Sequence, residues 1–232
     1  MKTRNLTLVA LLASVHAVGS FIPGFPMIGV PSSKIDIVRS LEIGYGLVLG
    51  PILGPSTAFL GAVVGKTITG GGVGLFFTPL ALVSSFMAAS MKRNNLLNIR
   101  GWILSAILLS CLIIGWYATP TGREAPLYPI FHFIGLGIIL LYRERISDYL
   151  NSREKRRLAL GVLLCSYPST MAGHMVGNLI FIKLFSPSPL FFMTILPVSI
   201  IERIVLTVIA TVIGTPLIMA VRDLFPDLMR ET

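Results

Sequence analysis

Leu47-Val48-Leu49-Gly50-Pro51-Ile52-Leu53-Gly54-Pro55 is the stretch that decides the fold. It sits inside a run, Ile43 to Gly65, that contains no charged residue. The apolar residues are continuous rather than alternating, which favours helices over a membrane β-barrel. In lipid every backbone N–H and C=O must be paired within its own segment or a closed barrel. Pro51 has no N–H to donate, so it suits the first turn of a helix. Gly50-Pro51 therefore reads as a tight break between two apolar segments, 36–49 and 51–69. The first is short, and the pair also reads as one hairpin that only partly crosses.

Moving outward, six further apolar segments appear: 5–22, 75–91, 101–118, 126–142, 158–183 and 197–221. Several approach the ~20 residues that span a hydrocarbon core. Only 12% of the chain is charged, about half the share in a soluble domain. That is too little to clothe a soluble surface. The expectation is an all-α polytopic membrane bundle forming one domain over residues 1–232. A signal peptide cleaved after Val15-His16-Ala17 is the alternative for the N-terminus. The apolar run continues to Ile22, which favours a retained helix.

The net charge of +9 raises nucleic acid as a partner. The basic residues lie between apolar runs, however, so the positive-inside bias and anionic lipid account for them. With the N-terminus inside, the inner stretches hold thirteen Lys and Arg residues and the outer ones four (Lys34, Arg39, Arg123 and Lys183). This predicts both termini in the cytoplasm and an even number of crossings. The longest polar stretch, 143–157, reads as an amphipathic helix on the inner surface, with Ile146, Tyr149 and Leu150 as its apolar side.

Charged groups in a bilayer usually face a cavity or a partner. Here they gather towards the outer side: His16, Glu42, Lys66, His132, His174, Asn178, Glu202 and Arg203. A one-sided distribution suggests an outward-facing pocket for a small polar ligand. Ser166, Thr170, His174 and Asn178 share one helix face at i+4 spacing, as do Ser199, Arg203, Thr207 and Thr211. Plainer readings stand beside this one. Lys66 can snorkel, Glu202 and Arg203 can be struts paired with Lys66 and Glu42, and the hydroxyl stripes can be interhelical glue. Arg203 is the expected anchor for a ligand carboxylate.

Enzyme motifs are missing. Gly61 and Gly65 before Lys66-Thr67 are one residue too close for a phosphate loop, and they lie in a membrane segment. Cys111 and Cys165 sit in apolar runs without ligand spacing, so neither a metal nor another cofactor is expected.

Three stretches resemble the substrate-binding S component of energy-coupling factor (ECF) vitamin transporters. They are the basic-led first helix with Ala13-x-x-x-Ala17, the Gly-Pro and small-residue run from Leu47 to Gly65, and Glu202-Arg203 through Arg222. The resemblance implies a small subunit in a prokaryotic plasma membrane that captures a vitamin-like micronutrient. A transmembrane coupling subunit and two ABC ATPases would drive uptake. Ala13 and Ala17 would dock the coupling subunit, and the loop at 23–34 would cover the ligand. The family usually has six helices, so six to eight crossings are expected. A self-contained secondary transporter or channel is the alternative.

Overall fold

The computed structural model describes residues 3–29 and 34–226. Among these are nine α-helices: α1 (Thr3–Gly19), α2 (Leu41–Ile68), α3 (Pro79–Lys92), α4 (Gly101–Ala118), α5 (Pro120–Glu124), α6 (Ile130–Tyr142), α7 (Glu144–Asn151), α8 (Lys155–Phe185) and α9 (Pro189–Leu224). Two antiparallel pairs complete the fold, β1 (Phe25–Pro26) with β2 (Lys34–Ile35), and β3 (Asn95–Leu96) with β4 (Ile99–Arg100). Four helical stretches are long and apolar enough to cross a membrane: Ile37–Ile68, Gly72–Lys92, Gly101–Ala118 and Pro189–Leu224. The chain is a membrane protein.

The Gly50-Pro51 break is the pivot of the fold. Helical hydrogen bonding is assigned through it, yet Gly50 has φ 78° and ψ −171°, a region essentially reserved for glycine. The chain doubles back there. A Cβ on Gly54 would lie 2.7 Å from the Cα of Gly46, eight residues away and about 12 Å apart in a straight helix. At the open end of the hairpin, Lys66 Nζ is 2.7 Å from Asp36 Oδ2. Two arms, 41–49 and 51–68, thus lie side by side, as the hairpin reading expected.

Small residues pack this hairpin against its neighbours. Added Cβ atoms on Gly61 and Gly65 would meet His16 and the Ala13 carbonyl, and Ser20 and Ala17, so α1 runs parallel to the second arm. Gly46 faces the Ser85 carbonyl of α3. α3 runs antiparallel to α8, with Leu80 beside Gly177, Ser84 beside Gly173, and Cys165 Sγ near the Ala88 carbonyl. α9 returns along α8 to the end where α1 begins, and Arg222 donates to the Ser152 and Leu150 carbonyls.

The segments expected from 36 and 75 open as 3-10 turns, so α2 begins at Leu41 and α3 at Pro79, and two further boundaries also differ from expectation. α9 begins at Pro189, not Pro197, because Ser188 caps it by accepting from the Phe191 N–H and Pro189 occupies the first turn. The helix expected from residue 126 begins at Ile130, after α5 and a turn through Tyr128. The 143–157 segment is also less superficial than expected. Ile146 and Leu150 are fully buried, and Gly161 of α8 packs against Tyr149 and Leu150.

Candidate functional site

All eight predicted polar residues, His16, Glu42, Lys66, His132, His174, Asn178, Glu202 and Arg203, lie around connected cavities at the end of the bundle where α1 finishes and α9 starts. The main cavity, about 80 Å³, lies between α8 and α9 under the β1–β2 loop. Met27 and Ile28 roof it, and Gly29 rests against the rings of Phe181 and Phe191. The covering role expected of 23–34 thus falls on a described segment; residues 30–33 lie outside the described residues. The polar wall is Arg39, His174, Asn178, Ser199, Glu202 and Arg203, and the apolar wall includes Phe77, Phe181, Phe191 and Phe192.

A second cavity, about 30 Å³, adjoins the first through Met27, Ile35, Arg39 and Phe77. His16, Asp36, Glu42 and Lys66 line it. Above it opens a wider hollow of about 330 Å³, where Lys34 and Lys66 are the charged side chains. Lys34, Lys66 and Gly74 border both this hollow and the second cavity. A smaller space joins Tyr128, His132, His174, Ser199 and Arg203, and another joins Arg39, Glu42, Ser84, Thr170 and Arg203. Arg39 and Arg203 each border three of these spaces.

The charges pair differently from the expected struts. Lys66 meets Asp36, not Glu202, and also donates to the Lys34 carbonyl. Glu42 accepts from Arg39 Nε at 3.2 Å, a spacing of i, i+3 at the start of α2. Glu202 and Arg203 face each other across a looser 3.4 Å. The expected struts fail because the 3-10 turn of Ile37–Ser40 brings Asp36 and Arg39, the latter counted with the outer stretches, beside the bundle core. Asp36 is 3% exposed. Lys66→Met would leave that carboxylate with only Lys34 at 3.8 Å. We expect this variant to lose about 1–3 kcal/mol, less than a fully buried pair because Lys66 is partly solvated. Lys66→Met with Asp36→Leu should recover most of it, and thermal melting of the purified proteins measures both.

His132 and His174 stack with centroids 5.3 Å apart and planes 9° from parallel. Tyr128 O–H donates to Asn178 Oδ1 at 3.3 Å and lies 3.5 Å from His174 Nε2. Tyr128 itself is clamped between Trp116 and Phe192. Among the described residues, no group of three His, Cys, Asp or Glu side chains is placed to hold a metal ion. The threonine stripe is not interhelical glue. Thr207, Thr211 and Thr215 each donate to the carbonyl one turn back in α9.

Ala17 is 5% exposed and packs on Gly65, while Ala13 is half-buried with its backbone close to Gly61. These two small residues of α1 make a close contact inside the chain. The face that α1 leaves uncovered carries Leu11, Val15 and Val18.

No family model and no solved structure matches the chain. Over 215 residues it is 30% identical to the uncharacterized protein MJ0923 of Methanocaldococcus jannaschii, spanning 90% of this chain and 69% of that protein. The chain belongs to the family of that archaeal protein. The name MJ0923 carries no activity, so for this family member the chemistry rests on the residues themselves. Sequence reasoning missed Arg39, Asp36, Tyr128 and the phenylalanine wall. The Arg39–Glu42 spacing and the Phe191-Phe192 doublet were the available signals.

Proposed function

We propose that this chain is the membrane-embedded substrate-capture subunit of an ECF-type ABC importer, binding a small micronutrient-like ligand. The observation that carries the reading is the roofed main cavity, with Arg39, Glu202, Arg203, Asn178 and His174 on one wall and aromatic side chains on the other. Such a mix of apolar lining and a few convergent polar groups is the usual form of a small-ligand site. The charged groups are engaged with one another, which suits binding rather than catalysis. A transmembrane coupling subunit and two ATPases would supply the energy. With Ala13 and Ala17 used internally, docking falls to the uncovered α1 face.

In this reading the chain crosses the plasma membrane of a prokaryotic cell six times, and the two arms of α2 form a hairpin that only partly crosses. Both termini are cytoplasmic and the cavity faces outward. The alternating helix directions support this, together with the basic residues at the end opposite the cavity. A cysteine at exposed Arg123 should react with an impermeant maleimide added outside intact cells. A cysteine at exposed Arg156 should react only after permeabilisation, both in a Cys111→Ala background. The reverse pattern would turn the cavity to the cytoplasm.

The functional test is purification of the tagged chain from its native membrane. The expected companions are a transmembrane coupling subunit and two ABC ATPases, with ATP-dependent ligand uptake after reconstitution of the complex. Gradient-driven transport by the chain alone in liposomes would replace this reading with a self-contained transporter.

A further inference from the structure

Building on the capture reading, we infer that the ligand is a small aromatic monocarboxylate, seated on Phe181, Phe191 and Phe192 and held by Arg203 and Asn178 through its carboxylate. Three independent features of the main cavity lead there.

The first is the apolar wall. Phe181 and Phe191 lie nearly parallel, 5.4 Å apart with planes at 12°. Phe192 stands edge-on to both, at 84° and 83°. Behind it, Phe192 is fixed by Trp116 and Tyr128. Such a wall presents rigid faces and edges, the geometry in which aromatic rings attract one another.

The second is a pair of buried donors at the polar end. Arg203 is 2% exposed, and its Nε–H has no hydrogen-bond partner among the described residues. Asn178 is 7% exposed. Its Oδ1 is taken by Tyr128, which leaves Nδ2 as the group without a partner. Unmade buried donors are costly. These two, among several in the described residues, belong to side chains that line one cavity, where one acceptor would satisfy both. A carboxylate offers two oxygens in one plane and matches a guanidinium edge.

The third is charge. The cavity is lined by Arg39, Arg203 and Glu202, one positive charge in excess with the histidines neutral. In the wider cluster Arg39 pairs with Glu42, Arg203 with Glu202 and Lys66 with Asp36, which leaves the part-exposed Lys34 as the cation in excess. A monoanion suits this balance better than a cation or a dianion. The two lysines of the outer hollow lie on the approach path and suit an incoming anion.

The experiment uses the purified full chain in nanodiscs, titrated with benzoate, benzamide and benzylamine, three probes of one shape and different charge. Benzoate should bind saturably and raise the melting temperature. Benzamide should bind at least tenfold more weakly, and benzylamine should not bind. Arg203→Lys, which keeps the charge and loses the forked geometry, should weaken benzoate at least tenfold. Asn178→Ala should weaken it as well, both with ligand-free melting near wild type. The charge series on the unaltered protein decides the matter even if a variant does not fold. Absent benzoate binding, or benzamide or benzylamine binding as tightly as benzoate, overturns the inference. Native mass spectrometry of the same preparation separates the two levels. A co-purifying small molecule of another class leaves capture standing and removes only the ligand class. No bound small molecule and no probe binding removes both.

Discussion

Gly54→Leu is expected to abolish folding of the bundle. At this position an added Cβ lies 2.7 Å from the Gly46 Cα and 2.7 Å from the Tyr45 carbonyl oxygen, both backbone atoms. Neither can swing aside as a side-chain tip would. Gly46 is pinned in turn, because a Cβ there would meet the Ser85 carbonyl of α3. Three backbones therefore converge at one level, and separating any two opens the third contact. Overpacking a core commonly costs ~1–3 kcal/mol when side chains can adjust. With backbone on every side the cost should exceed that range and consume much of the ~5–15 kcal/mol that holds a typical domain together. The measurement is expression followed by size-exclusion chromatography and thermal melting. Gly137→Ala, where a Cβ meets nothing within 4 Å, is the neutral control. A Gly54→Leu protein that purifies and melts like wild type would show that the two arms of α2 do not pack as described.

The same hairpin marks how far the sequence could be read. The Gly50-Pro51 break was visible because proline and glycine act through local backbone chemistry, which sequence reports directly. The segment at 101–118 coincides with α4 for a similar reason, since its apolar run has sharp polar flanks. The start of α9 was not visible. Pro189 and Pro197 are equally plausible first-turn residues, and only the Ser188 cap separates them. The pairing of charges was lost altogether. Depth in the membrane placed Glu42 near mid-membrane and Lys66, Glu202 and Arg203 towards the outer side, but partner choice depends on which helix faces which. Arg39 was counted with the outer stretches because nothing in its neighbours announces the 3-10 turn that carries it to Glu42. Ala13 and Ala17 show the converse limit. Small-residue spacing correctly reports close helix approach, yet the same spacing serves Gly61 and Gly65 of this chain as readily as another subunit.

Arg39 allows structural support and ligand binding to be separated. It borders the main cavity and is also the partner of Glu42, whose side chain is 2% exposed. Arg39→Met should therefore strand a buried carboxylate and cost about 1–3 kcal/mol, since Arg39 is as solvated as Lys66. A loss of binding in that variant would mean little. Adding Glu42→Gln removes the stranded charge, and Ser84 remains beside position 42 to hydrogen-bond a neutral amide. Melting of the double variant should return most of the way to wild type. Its main cavity is then lined by Arg203 and Glu202 alone among charged groups, with no net charge. If the Arg39 guanidinium at the cavity wall is what draws a monoanion, this refolded protein, whose overall charge is unchanged, should still bind benzoate at least tenfold more weakly than wild type. If the double variant regains affinity along with stability, Arg39 is only the counter-charge of Glu42, and attraction for an anion must come from Arg203 and the two lysines of the approach. Arg203→Lys preserves charge and alters geometry, whereas the Arg39–Glu42 double variant restores neutral packing and removes the second guanidinium from the cavity wall. A site that loses affinity in both cases needs the anion's charge and its planar two-oxygen form, a requirement that a purely structural network of ion pairs does not impose.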